Sequence, residues 1–493
     1  MHIAELLALN ARKYPNPEAI ITASSRHTWS QLHDEALKLA GHLQTRCDIQ
    51  PGDRVALFMP NGYPWVLGYF AVISLGAVVV PINARLTAGE LEYILADCGA
   101  RLLLSSASQQ KELDQSDSLR RSLLMLDDPA SLLAEEPNSF RAPTISPADP
   151  CTLLYTSGTT GKPKGVLFSH HNLLTVATST AVEMGVRHES RLLHMMPLTH
   201  SAPVHVFLLG GTLTGASHVV LNEFRPDLLL DFVESERTTH FFGAPVAFLL
   251  TAAQPDVRKR DLSSMQAWIY GGAPLSTEQV RKVRDALDSD QLYCVYGLTE
   301  AGPSGTLMTP EEHRHKAGSI GRRGALHTEV RLVDEQQHHV ADELVGEIQI
   351  RGEGMMLGYW NNPQATAECL TEEGWLFSGD LAWRDSDGYL WIVGRKKDLI
   401  ISGGVNIYPR EIEALLEQHP AIAEVAVIGA PHEQWGETVK ACVVLREPVD
   451  NIEQALRDYL QPLLADYKMP RLYQQYPSLP RNANGKVMKH KLD

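Results

Sequence analysis

None of the six cysteines (Cys47, Cys98, Cys151, Cys294, Cys369, Cys442) stands in a CxxC pair or at a zinc-ligand spacing. That pattern excludes a disulfide framework and a zinc site, and it fits unlinked thiols in a reducing cytoplasm. Basic charge is also scarce: 44 Lys and Arg face 59 Asp and Glu, a formal net charge of −15. Broad nucleic-acid binding is therefore disfavoured, and an anionic substrate has to be gathered locally by loops, helix ends and Mg²⁺. Residues 1–11 pattern as an amphipathic helix without a basic region, an apolar core or a cleavage site, so no signal peptide is expected. Residues 63–82 carry no charge and are long enough to span a bilayer. Gly76 interrupts them, Val78-Val79-Val80 is strand-like and Pro81 ends the run, which predicts a buried helix and a buried strand and no transmembrane segment. Internal repeats and low-complexity tracts are missing too. The histidines at His170-His171, His313 and His315, and His338-His339 lack a full ligand set, which predicts solvated side chains and no metal.

What is present suggests two or three domains and a large core in 493 residues. Short β-rich runs alternate with helical patterns over residues 53–301, the mark of α/β layers. Strands are expected at 55–59, 77–80, 101–104, 152–155 and 267–270, and the polar stretch 105–147 is expected on the surface. Closely spaced strands at 329–333 and 346–351 suggest a β-rich subdomain. Beyond Arg395-Lys396-Lys397-Asp398 the chain reads as a small α+β domain. It has a strand at 399–402, a helix opened by Pro409 with Ile412, Leu415 and Leu416 on one face, strands at 424–428 (ended by Gly429) and 439–445, and a helix at 452–464. The expected domains are 1–395 and 396–493.

The most informative stretch is Tyr155-Thr156-Ser157-Gly158-Thr159-Thr160-Gly161-Lys162-Pro163-Lys164-Gly165-Val166. Its glycines let backbone N–H groups converge, and its hydroxyls and lysines add donors to the same place. That composition suits a polyphosphate. It is not the usual P-loop, because two residues separate Gly158 from Gly161 and Pro163 stands where Ser or Thr belongs.

This loop resembles the phosphate loop of the adenylate-forming enzymes, a superfamily of acyl-CoA synthetases, peptide-synthetase adenylation domains and luciferases. Further motifs match in the same order: Tyr270-Gly271-Gly272-Ala273-Pro274, Tyr296-Gly297-Leu298-Thr299-Glu300, Ser378-Gly379-Asp380, Gly394 to Asp398, Gly403-Gly404 with its following helix, and Pro480 to Lys486. The resemblance covers the chain from Tyr155 onwards, and it implies a large N-terminal domain with a small mobile C-terminal one. The implied reaction has two halves. A carboxylate attacks the α-phosphate of ATP to give an acyl-adenylate and pyrophosphate, and the thiol of CoA then displaces AMP. Because the first half brings two anions together, charge neutralisation and alignment are its main needs.

By that resemblance Thr156, Ser157, Gly158, Thr159, Thr160, Gly161, Lys162 and Lys164 hold the β- and γ-phosphates. Thr299 donates to the α-phosphate, and Glu300 meets Mg²⁺, a hard cation suited to carboxylate oxygen. Adenine stacks on Tyr296 beside Gly297 and the backbone of Gly271, Gly272, Ala273 and Pro274. Asp380 takes the ribose hydroxyls with help from Arg395. Lys486 bridges the carboxylate and the α-phosphate. Lys397 is the hinge, and Gly403 and Gly404 let the pantetheine arm of CoA pass close to backbone.

The implied acyl pocket holds His200 as a gate, with Phe242, Gly243 and Val295. His205 reads as a satisfied core histidine. Residues 200–206 contain no carboxylate to pair with a substrate ammonium, which argues against α-amino acids. Many relatives have glycine where Val295 stands, so this wall predicts a medium-chain or compact aryl acid. How Tyr270, where relatives often carry Ser, contributes is left open. The rival readings are an adenylating enzyme that loads a separate carrier protein, a luciferase-like oxidase, and a non-catalytic nucleotide-binding protein. The oligomeric state is left open, a homodimer included.

Overall fold

The computed structural model describes residues 1–493 apart from 121–122, 128, 130–132, 134–139, 157–161, 482–486 and 493. By compactness it divides into two units, one of residues 1–330 and 350–376, the other of residues 331–349 and 377–493.

The first unit is built on two sheets. A nine-stranded sheet runs in the order Arg323–Gly324, Gly305–Met308, Leu292–Gly297, Ala267–Gly271, His240–Gly243, Arg191–His194, Ser217–Val220, Glu18–Ile21 and Arg26–Thr28. A seven-stranded sheet runs Gly358–Tyr359, Lys164–Ser169, Pro150–Thr156, Val78–Pro81, Arg54–Phe58, Leu102–Ser105 and Leu123–Met125. Their central strands pair in parallel, so both faces are covered and near-continuous apolar runs replace alternation. The pleat distributes those runs between layers. Val55 and Leu57 share a core with Ile20, Val79 and Phe168, whereas Ala56 and Phe58 join Val78 and Val80 beyond the other face. Residues 63–82 form the expected buried pair, helix Tyr63–Ser74 and strand Val78–Pro81. Among the described residues no helix is long and apolar enough to cross a membrane.

In the second unit, Val405–Ile407, Ile400–Ser402, Gly436–Leu445 and Ile422–His432 make a sheet, with Leu472–Gln475 added alongside Gly436–Leu445. Helices Pro409–Leu416 and Ile452–Leu460 bury Ile412, Leu416, Leu456 and Leu460 against it. Most of the four-stranded sheet Thr328–Val333, Val345–Gly352, Leu376–Arg384 and Leu390–Arg395 belongs to this unit as well. The predicted β-rich subdomain is this sheet.

Three expectations need correction. Residues 105–147 are not all surface: Leu113, Leu119 and Leu126 are buried, and Leu123–Met125 is an edge strand hidden in polar text. Strand Ile422–His432 runs through Gly429 to its partner, because a bare glycine leaves room for the Glu437 carboxylate. His170 and His313 are buried, not solvated. His170 Nδ1 accepts from the Ile3 N–H at 3.3 Å, and His313 Nε2 meets the Tyr270 hydroxyl at 2.9 Å.

His205 is buried as expected, edge-on to Phe168, but neither ring nitrogen has a partner among the described residues. Burial pushes its pKa down to about 3, and those of His170 and His313 to about 4, from the ordinary 6.5. Below pH 6.5 the unfolded chain binds protons that the folded chain refuses, so stability should fall as pH drops from about 6.5 towards 4. His205→Phe should make that fall shallower by up to about 1.4 kcal/mol per pH unit in urea midpoints taken across the window. An unchanged slope would remove His205 from the titrating set.

Candidate active site

The sites expected from sequence fall into two sets, one in each unit. In the first, Thr156 and Lys164 pair across adjacent antiparallel strands, so both ends of the expected phosphate loop are held together. Ser157, Gly158, Thr159, Thr160 and Gly161 lie outside the described residues. On the flank, the Lys162 ammonium sits 5.8 Å from the centroid of Tyr93 and the Lys164 ammonium 5.1 Å from that of Tyr359. Such cation–ring contacts leave the ammonium free to turn to phosphate.

Strands Ala267–Gly271 and Leu292–Gly297 pair in parallel, bringing Gly271 beside Val295. A Cβ on Gly271 would lie 2.8 Å from Val295 Cγ2 and 3.4 Å from Phe242, so only glycine fits between them. Val295 and Phe242 pack with Val206, Phe207 and Ile269 on one face of the sheet. Tyr270 points to the other face, among Phe241, Phe248 and Trp268, and so lies on the opposite side from Val295. Gly243, also expected to line the acyl pocket, is turned away too, its bare side facing Phe241 and Ala247.

His200 caps a turn at the start of the π-helical segment Ala202–Leu208, its N–H bonded to the Pro197 carbonyl at 3.1 Å. Burial lowers its pKa, so the imidazole is neutral at neutral pH. The next residue, Ser201, places its hydroxyl 3.0 Å from that of Thr299, which ties the segment expected to hold the gate to the expected α-phosphate donor. Thr299 opens a 3₁₀ turn, Thr299–Ala301, that begins after Leu298, one residue beyond the strand end at Tyr296 and Gly297. Tyr296 is 9 % exposed. The Glu300 carboxylate accepts the Tyr359 hydroxyl through Oε1 at 2.8 Å, and its carbonyl accepts the Met356 N–H at 3.0 Å. One carboxylate oxygen thus remains for a hard cation, and Mg²⁺ is commonly held by one or two carboxylates with substrate phosphates and water. Among the described residues no group of three His, Cys, Asp or Glu could hold a metal ion.

In the second unit Asp380 and Arg395 face each other across an antiparallel pair, Nε to Oδ1 at 2.8 Å. Arg395 also donates to the Ser378 carbonyl at 3.0 Å. Glu347, nearly buried, accepts the Gly379 N–H at 3.0 Å and the Lys396 ammonium at 2.9 Å, so the residue before Asp380 and the residue before Lys397 share one anchor. Lys397 itself is exposed in the turn Lys396–Asp398. Gly403 and Gly404 form the two-residue turn of a hairpin with φ of +57° and +81°, a geometry that favours glycine. A Cβ on Gly404 would meet nothing within 4 Å. Lys486 lies outside the described residues; Arg481 and Val487, on either side of that stretch, are bridged antiparallel.

Glu347 and Tyr359 were not legible from the sequence. Each is a common residue in an ordinary strand or turn, and only the folded chain sets it beside a predicted site residue.

Comparison with known proteins places the chain among the AMP-forming acid–thiol ligases. The chain belongs to the AMP-binding enzyme family, whose profile matches residues 7–360, and the AMP-binding enzyme C-terminal domain matches residues 411–486. It is 36% identical over 482 residues to a feruloyl-CoA synthase of an Amycolatopsis species, covering 97% of this chain and 96% of that one. It is 33% identical over 508 residues to a long-chain-fatty-acid–CoA ligase of Mycobacterium tuberculosis, covering 99% and 97%. Among solved structures, the o-succinylbenzoate CoA synthetase of Bacillus subtilis in complex with its acyl-adenylate superimposes with a TM-score of 0.90 at 29% identity, over 99% of this chain and 97% of that one. The protein is an acyl-CoA synthetase that uses ATP, Mg²⁺ and CoA.

Proposed function

We propose that the acid is a medium-chain fatty acid or a compact aryl acid, and that CoA, not a carrier protein, accepts the acyl group. The observation that carries the acid class is the wall made by Val295 packed on Gly271 with Phe242 beside it. Relatives named for ferulate and for long-chain fatty acids match to similar extents, so this wall, and not the relatives' names, supports the choice. His200 is the neutral gate beside the reacting carboxylate, and residues 200–206 offer no carboxylate for an α-ammonium. Val295→Gly should shift kcat/KM towards longer acids by roughly tenfold or more, the scale of adding or removing methylene contacts in an apolar pocket. An unchanged chain-length profile would remove Val295 from the wall.

In this reading Thr156, Ser157, Gly158, Thr159, Thr160, Gly161, Lys162 and Lys164 hold the phosphates, Thr299 the α-phosphate, and Glu300 the Mg²⁺ of Mg-ATP. Tyr296 and Gly271, Gly272, Ala273 and Pro274 serve adenine. Asp380 serves the ribose with Arg395, and their ion pair supports this by fixing the carboxylate in place. Lys397 is the hinge and Lys486 the bridging cation of adenylation. The open space at Gly404 supports passage of the pantetheine arm there. All six cysteines are unpaired, which supports a cytoplasmic setting.

A further inference from the structure

Tyr359 lies outside every motif that marks the site, yet its side chain meets two residues expected to handle Mg-ATP. Its hydroxyl donates to Glu300 Oε1 at 2.8 Å, and the Lys164 ammonium stands 5.1 Å from its ring centroid. The backbone around it is stapled on both sides. Met356 N–H bonds to the Glu300 carbonyl at 3.0 Å, Leu357 N–H to the Leu167 carbonyl at 2.8 Å, and Trp360 N–H to the Gly165 carbonyl at 2.8 Å. Tyr359 therefore bridges the Thr299–Ala301 turn and the strand that carries the phosphate loop.

We infer that Tyr359 is a positioning residue for the metal–phosphate end of the site, acting in two separable ways. Its hydroxyl occupies Oε1 of Glu300 and leaves the other oxygen turned to the Mg²⁺ of Mg-ATP. Its ring holds the Lys164 ammonium by a weak contact and keeps it from pairing with Glu300, an encounter that would neutralise both groups before nucleotide arrives. Among the described residues neither Lys164 nor Glu300 is in an ion pair. A cation–ring contact yields to a phosphate more readily than a desolvated ion pair would. The inference rests on the reading of Glu300 as the contact for Mg²⁺.

The test uses the full-length protein, Mn²⁺ as the metal probe and a non-hydrolysable ATP analogue, with metal binding read by electron paramagnetic resonance. Tyr359→Phe keeps the ring and removes the hydroxyl. It should weaken Mn²⁺ binding in the nucleotide complex by about tenfold, the scale of one hydrogen bond to a charged group. It should leave the KM for the acid and the metal-free affinity for the analogue unchanged. Tyr359→Leu removes the ring as well and should also weaken metal-free analogue binding by about tenfold, as Lys164 turns to Glu300. Glu300→Gln serves as the reference. If it weakens Mn²⁺ binding while Tyr359→Phe does not, the hydroxyl does not orient the carboxylate and the proposal falls. If Glu300→Gln itself has no effect, the metal assignment of Glu300 is at fault. Equal metal-free affinity in Tyr359→Leu and the parent protein would overturn the role of the ring.

Discussion

Replacing Lys486 by alanine is expected to slow acyl-adenylate formation by about 10²–10³-fold or more and to leave thiol attack on a supplied acyl-adenylate largely intact. Adenylation drives a carboxylate onto the α-phosphate, and repulsion between the two anions is a large part of the barrier. A lysine is a compact charge on a long stem, suited to bridging two anions that belong to different molecules. The second half-reaction displaces AMP with a thiol and has no such pair of anions to bring together. Single-turnover measurements of pyrophosphate release and of thioester formation separate the halves. Equal losses in both would show that Lys486 serves folding or nucleotide binding in general.

Gly302→Ala should be the most damaging single methyl in the first unit. Gly302 ends the Thr299–Ala301 turn at φ +89°, and a Cβ there would lie 2.0 Å from the Gly354 carbonyl oxygen and 3.0 Å from Val176 Cγ2. A backbone oxygen cannot step aside as a flexible side chain could. Strain at positive φ, together with overpacking, should lower stability by about 2–4 kcal/mol. Any relaxation also moves Thr299 and Glu300, because Met356, two residues beyond Gly354, is bonded to the Glu300 carbonyl. Displacement of about 1 Å in such groups can lower kcat by about 10²-fold. Urea unfolding and pyrophosphate release, measured on the same preparation, check both parts. A variant with parental stability and turnover would mean that the two backbones do not approach so closely.

Much of this protein was legible in its sequence because its parallel strands are buried on both faces. Runs such as Val78-Val79-Val80 and Ala267 to Tyr270 announce themselves by apolar continuity, and glycine or proline marks their ends. Strand Leu123–Met125 was not legible, since three residues in polar text carry no period. Burial of His170 and His313 was hidden for a different reason. A histidine in polar text is ordinarily solvated, and only the packing of Ile3 and Tyr270 against these two makes them core. Motif residues such as Asp380 could be named, but their supports could not. Glu347 is 33 residues from Asp380 and Tyr359 is 59 from Glu300, separations that only the folded chain closes. Of the residues expected to line the acyl pocket, Phe242 and Val295 share one face of the sheet, whereas Gly243 is turned to the other. Alternation along Phe241, Phe242 and Gly243 turns Phe242 to the face shared with Val295 and its two neighbours to the other.

The most direct measurement is a competition in which the purified protein receives Mg-ATP, CoA and a mixed panel of short-, medium- and long-chain fatty acids and aryl acids, with thioesters and adenylates read by mass spectrometry. One dominant acyl-CoA, of a medium-chain or compact aryl acid, formed with stoichiometric AMP and pyrophosphate, is the predicted result. A long-chain product would contradict the Val295 wall, acyl-adenylate without thioester would make a carrier protein the acceptor, and no pyrophosphate with any acid would contradict catalysis itself.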